Sequence, residues 1–275
     1  MALDSKRYFS NAVVGVPQVG ADIDITQVDA TPRYAVGFGF TRSDGNKYRY
    51  GYSSAGTAAG LVVAPTFASA GLATLDNAVV APGTAVAVAG DAMKPGLIGS
   101  RYLEVASATK TAGQFKGGYL VIEDGSGKGF SYRIKNNTAT GDPATSNIRI
   151  ELYEPLKANL STDTDLTITP SLWNDVTAAD TVTNVMSAGV SAGTTTTTAP
   201  YGWFCTKGQI GVLQSATVVL GQGVMLAVTP ATAGSITTFG GTHTVLSGIL
   251  GMAMIGICMA VGATTEYATV NINLE

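Results

Sequence analysis

GGYLVIEDGSGKGFSYRIKNN, residues 117–137, decides the fold class. Leu120 and Ile122 on one arm, and Phe130, Tyr132 and Ile134 on the other, alternate with polar neighbours, the period-2 pattern of a strand with one buried face. Ser131, Arg133 and Lys135 then point outward. Between the arms lies Asp124-Gly125-Ser126-Gly127-Lys128-Gly129, whose glycines supply the positive φ values that a hairpin loop needs. A phosphate loop would require G-x-x-x-x-G-K-[ST] ahead of a helix. Here Ile122 stands in the place of the first glycine, Gly129 follows Lys128, and a strand pattern comes next, so the stretch is expected to be a β-hairpin with a plain turn.

Other segments repeat this grammar. Arg33 to Phe40 and Lys47 to Tyr52 flank Ser43-Asp44-Gly45-Asn46, a second turn between alternating arms, with Tyr34, Val36, Phe38 and Phe40 on one face and Tyr48, Tyr50 and Tyr52 matching them. An aromatic row at strand spacing is expected to be core or cross-strand packing. Val62-Val63, Val79-Val80 and Val86-Ala87-Val88 are expected strand centres, as are Tyr102 to Ala106, Asn147 to Tyr153 and, nearer the C-terminus, Tyr201 to Cys205, Gln209 to Leu213, Gly223 to Val228, Met254 to Val261 and Tyr267 to Leu274. The fold class is therefore all-β: β-sandwich or barrel-like domains rich in hairpins, with an extended N-terminal arm. Composition divides the chain into an arm (1–25), a first β domain (26–157), a long connecting segment rich in Ser, Thr and Asp (158–200) and a compact C-terminal β domain (201–275).

Charge is scarce, at 13% Asp, Glu, Lys and Arg, about half the usual share. Residues 1–157 hold 15 basic and 13 acidic groups and residues 158–275 hold one and six, so the halves carry +2 and −5. No basic cluster interleaved with aromatics appears, which argues against a nucleic-acid partner. A surface with so few solubilising groups is expected to be covered in part by partners. Gly208 to Thr265 has no charged residue, and Val245 to Ala263 is an apolar run long enough to cross a bilayer. Gly248, Gly251, Gly256 and Gly262 weaken a helix there, and no Lys or Arg lies close enough to orient a span, so no membrane partner is expected.

Chemistry finds few candidates. The one histidine, His243, sits in a Gly-Gly-Thr-His-Thr turn context, and Cys205 and Cys258 lie far apart in apolar surroundings where thiols act as small hydrophobes. These cannot make a zinc site. Asp22-x-Asp24 and Asp163-x-Asp165 offer too few oxygens for a hard cation, and the carboxylate pairs Glu123-Asp124 and Glu151/Glu154 sit at strand ends. The chain is expected to be no enzyme, with no cofactor and no metal. Met-Ala-Leu-Asp-Ser-Lys-Arg-Tyr has no apolar signal region, so synthesis in a reducing cytoplasm is expected.

The succession DGNKYRYGYSSAG (44–56), GGYLVIEDGSGKGFSYRIKNN (117–137), IRIELYEPLKANLSTDTDLTI (148–168), YGWFCTKGQIGVL (201–213), GQGVMLAVTPATAGSI (221–236) and IGICMAVGATTEYATVNINL (255–274) resembles the capsid decoration, or cement, proteins and related head structural proteins of tailed bacteriophages. The resemblance implies a β-barrel-rich homotrimer, made in the host cytoplasm, that binds the outside of the assembled virion head and bridges major capsid protein subunits. On that reading the N-terminal arm is the candidate capsid anchor, through Leu3, Lys6, Arg7, Tyr8, Phe9, Val13 and Val14, and Lys128, Met252 and Met254 are candidate subunit contacts. The alternative is a head fibre or tail adhesin that stacks host-surface glycans on Tyr48, Tyr50 and Tyr52; a third reading is a tail or tube component.

Overall fold

A computed structural model describes residues 23–66, 75–80, 84–85, 87–90, 93–107, 109–142, 146–180, 186–216, 218–227, 232–239 and 254–275. These residues are all-β. The strands are β1 Gly39–Thr41, β2 Lys47–Tyr52, β3 Val62–Pro65, β4 Leu75–Ala78, β5 Tyr102–Ala106, β6 Tyr119–Ile122, β7 Ser131–Asn137, β8 Asn147–Leu152, β9 Asp165–Thr169, β10 Val176–Ala178, β11 Gly189–Ser191, β12 Tyr201–Leu213, β13 Gly223–Leu226, β14 Ile236–Thr238, β15 Gly256–Ala260 and β16 Tyr267–Asn273.

The chain forms two compact units: Met1–Ala64 together with Thr177–Glu275, and Pro65–Val176 between them. It leaves the first unit along β3 and returns along β10, neighbours in one sheet. This corrects the expected division at 157 and 200. The segment 158–200 is not a connection lying over a domain: β9 is an interior strand of the second unit, and β11 is an interior strand of the first. Leu166 and Ile168 on β9, and Val190 on β11, are fully buried, and that burial is what recruits these short runs into sheets.

The second unit is a six-stranded antiparallel sheet in the order β4-β9-β6-β7-β8-β5. Its edges meet. Val79 bridges Val105 and the Val80 amide donates to the Glu104 carbonyl at 2.9 Å, closing the sheet into a small barrel. The order β9-β6-β7-β8 is a Greek key, with the hairpin strands in the middle of the sheet. Leu120 pairs with Tyr132, and both point inward with Ile122, Ile134, Ile150 and Leu166, filling the interior as small barrels require. Gly125, Gly127 and Gly129 all have positive φ (77°, 86° and 86°), and the Gly129 amide donates to the Ile122 carbonyl. The loop is thus a turn. Phe130, expected inside, is 40% exposed, because β7 begins only at Ser131.

The first unit is built on β12. Its first half pairs with β2 on one edge and β11 on the other, and its second half pairs with β16; Lys207 pairs with both Lys47 and Asn273, so β16 follows β11 along the edge opposite β2. The change of partner occurs at a bulge between Cys205 and Lys207. Two strands were expected there, because Lys207-Gly208 reads as a turn; the bulge lets one 13-residue strand continue through it. Beyond β16 the sheet runs through β15 and β13 to β14. Residues 33–38, also expected as strand, precede β1 and contribute rings instead. Trp203 is the hub of this core: the rings of Phe40, Tyr50, Tyr34 and Phe38 lie 4.7, 5.0, 5.1 and 6.3 Å from it.

Candidate interaction surfaces

The tyrosine row of β2 belongs to this core. Tyr48 is 2% exposed and Tyr50 0%, which leaves them no face for stacking a glycan. The Tyr50 hydroxyl donates to Asp29 Oδ2 at 2.9 Å, and Asp29 Oδ1 receives Arg33 Nε at 2.7 Å. Burial, reinforced by the Asp29 carboxylate, pushes the Tyr50 phenol well above its ordinary range. Burial likewise raises Tyr48, and it pushes the Cys205 thiol up to about 12. Cys205 and Cys258 are both buried and both free.

Lys128 stands at the tip of the hairpin with its side chain 67% exposed, yet its Nζ lies 3.0 Å from Asp124 Oδ1 within the same turn. That hydrogen bond holds the Asp124 carboxyl below its usual range. Glu151 Oε1 accepts from Lys135 Nζ at 2.6 Å and from the Tyr102 hydroxyl at 3.4 Å. Both carboxylates are therefore tied to cations of their own unit. Asp24 accepts from the Thr26 amide and hydroxyl, a local turn bond. Among the described residues no three His, Cys, Asp or Glu side chains gather as a metal site, and no helix is long and apolar enough to cross a membrane. Leu3, Lys6, Arg7, Tyr8, Phe9, Val13, Val14, His243 and Met252 lie outside the described residues.

At the β12 bulge an open groove of about 640 Å³ is lined by Arg42, Asp44, Asn46, Lys207, Gln209 and Asn271, among others. Asn46 clamps it: its Nδ2 donates to the Gln209 carbonyl at 3.0 Å and its Oδ1 accepts the Gln209 amide at 3.1 Å. Gly208 makes the clamp feasible, with φ +107° and space only for hydrogen, since a Cβ there would lie 1.8 Å from Asn46 Oδ1. The groove has a mixed lining, with Ile25, Ala192 and Ile210 beside the polar groups, and Asn46 already satisfies the Gln209 amide and carbonyl.

The outer face of β15, with Gly223 of β13 beside it, is different in kind, although Met225, which β13 turns to the same side, is only 7% exposed. Along β15, Cys258 points into the core while Ile257 and Met259 point out, and Met254, Val261, Leu220 and Phe239 join them at 43–65% exposure. The patch is continuous across the strands. Gly223 pairs with Ile257, and its bare Cα leaves room for Met254 and Phe239, whose Sδ and Cβ would lie 2.7 and 3.5 Å from a Cβ there. The turn carrying Leu220 is bound to β15 through Gly221 N to Cys258 O at 2.8 Å. Six such side chains at about half exposure present roughly 600 Å², taking ~200 Å² for a fully exposed large apolar side chain. That is the upper end of what monomeric surfaces leave open.

No family model, curated protein or solved structure matches the chain. Of the residues singled out in the sequence, Met254 alone falls on this apolar face. Leu220, Phe239, Ile257 and Met259 were missed, because a strand whose two faces are both apolar carries no alternation to say which side is open. The charge-free stretch from Gly208 to Thr265 was the available signal.

Proposed function

We propose that this chain is a virion structural protein, made in the host cytoplasm, that binds the outer surface of a phage capsid and stabilises the lattice by bridging major capsid subunits. The sequence resemblance motivates this reading, and the exposed apolar face of β13 and β15 carries it. A standard protein interface buries about 800 Å² per partner, so a face of this size supplies most of one. Charge follows the same division. The 163 residues of the first unit hold 15 charged groups, while the 112 residues of the barrel hold 20, so the unit bearing the face is the one poor in solubilising groups.

In this reading the chains form homotrimers and the apolar face docks on the capsid. The N-terminal arm adds a second attachment. Many copies on one lattice multiply a modest contact into durable reinforcement. Replacing Ile257 and Met259 together by Asp tests it. Retention of the variant on purified heads should be lost while sedimentation still shows a trimer and circular dichroism is unchanged. Retention equal to that of the unaltered protein would overturn the docking assignment. An adhesin using Tyr48, Tyr50 and Tyr52 is not favoured, because two of the three rings are buried.

A further inference from the structure

Two outward-facing rings of the barrel, Tyr119 and Tyr153, lie in a row that the strand registers define. Tyr119 on β6 stands opposite Thr169 on β9 and opposite Arg133 on β7. Ile134 pairs with Leu152 across the next ladder, and the Tyr153 amide donates to the Arg133 carbonyl at 3.1 Å, so Tyr153 comes beside Arg133 in turn. The row therefore reads Thr169, Tyr119, Arg133, Tyr153 across four strands. Tyr119 is 55% exposed and Tyr153 41%. The Arg133 guanidinium stacks over the Tyr153 ring, 5.1 Å from its centroid. Among the described residues no carboxylate lies within 4.0 Å of it. The next row along the strands is Thr167, Val121 and Ser131, which puts hydroxyls beside the rings.

We propose that Tyr119, Arg133 and Tyr153 form a binding site for an acidic oligosaccharide. The two rings sit two strand spacings apart, about 10 Å, and each offers a flat apolar surface to one face of a sugar ring. Between them the guanidinium presents a planar fork of donors matched to a sugar carboxylate, and stacking on Tyr153 holds that fork in place. Thr167 and Ser131 supply donors and acceptors for sugar hydroxyls, and Thr169, whose hydroxyl donates to the Tyr119 carbonyl at 3.3 Å, supplies an acceptor. A nucleic-acid strand fits less well: it needs a track of cations, whereas this row has one, and the barrel as a whole carries 9 basic and 11 acidic groups. The site is on a different unit from the apolar face and does not depend on the capsid reading.

Titration calorimetry of the full chain with tetragalacturonate, its neutral methyl ester and α2,8-linked tetrasialic acid tests the proposal. At least one acidic probe should bind, and the ester should bind roughly ten-fold more weakly. Tyr119→Ala and Tyr153→Ala should each lower affinity roughly ten-fold. Arg133→Gln should abolish the preference for acid over ester while leaving weak binding to both, and Arg133→Lys should restore part of it. Because all three side chains are at the surface, thermal unfolding should match the unaltered protein. Binding of neither acid at millimolar concentration, or acid binding that survives both tyrosine substitutions, would overturn the assignment. So would binding of single-stranded oligonucleotides in preference to the acids.

Discussion

Replacing Trp203 by Ala removes the hub of the first unit's core and separates that unit from the barrel in a single experiment. Trp203 is 2% exposed and touches four aromatic rings with centroids 4.7–6.3 Å away. Truncating a buried Trp to Ala costs about 3–5 kcal/mol, and ring pairs at these distances add about 0.5–1.5 kcal/mol each beyond area, which places the loss at the top of the range, about 5 kcal/mol. Since a domain's whole stability is about 5–15 kcal/mol, the first unit is left near its unfolding threshold. The chain has two tryptophans, and the other, Trp173, is buried in the second unit. It becomes the sole tryptophan in both Trp203→Ala and the milder reference Trp203→Phe, and is excited selectively at the red edge of the absorption band, where tyrosine does not absorb. The core clusters of the two units share no residue. In urea, circular dichroism of Trp203→Ala should show an early transition absent from the reference, while the midpoint of Trp173 fluorescence is the same in both. A loss under about 1 kcal/mol, or a fluorescence midpoint that moves with the early transition, would refute the hub and the separate cores respectively.

Gly208→Ala puts a Cβ into Asn46 at a left-handed φ and should destabilise the first unit by about 1–3 kcal/mol in chemical denaturation, with Asn46→Ala in the same chain recovering part of the loss. In the barrel, Arg149 Nη2 lies 2.8 Å from Oε1 of the buried Glu104, so Arg149→Met removes this cation from a buried carboxylate and should cost about 3–5 kcal/mol, read from the Trp173 midpoint. Stability should also fall in alkali. The Cys205 thiol titrates near its ordinary 9.0 when unfolded but only at about 12 when folded, so the folded state holds the extra proton between those values. Its contribution is full below pH 9 and is lost as pH rises toward 12, with the raised Tyr48 phenol acting in the same direction. Urea midpoints should therefore drop between about pH 8 and about pH 10.5, and Cys205→Ala should flatten the drop.

The legible part of the fold was where one face of a strand is wet. Leu103 and Val105, Ile148 and Ile150, and Ala268, Val270 and Ile272 alternate with polar neighbours, and β5, β8 and β16 appear within a residue of where that alternation puts them. The 117–137 hairpin was legible because its turn glycines and its alternation agree. β9 was not, because Leu166 and Ile168 sit in a run of Ser, Thr and Asp that reads as a loop until a neighbouring strand buries them. The interleaving of the two units was also hidden, since Tyr50 meets Trp203 across 153 positions and nothing local records it. The tyrosines of β2 were expected as core or cross-strand packing; Tyr48 and Tyr50 are core, and the half-buried Tyr52 packs across the strands on Tyr201. Two exposed rings of the barrel, Tyr119 and Tyr153, carry the same period-2 signal on the opposite phase of the strand, and only the register brings them beside Arg133.

The capsid reading is tested most directly by cryo-electron microscopy of purified particles that carry the chain. Density for both β units is expected on the outside of the head, with Ile257, Met259 and Met254 of β15 and its approach buried against major capsid subunits. Density confined to the tail, or a head-bound protein whose β13 and β15 face is open to solvent, would contradict it.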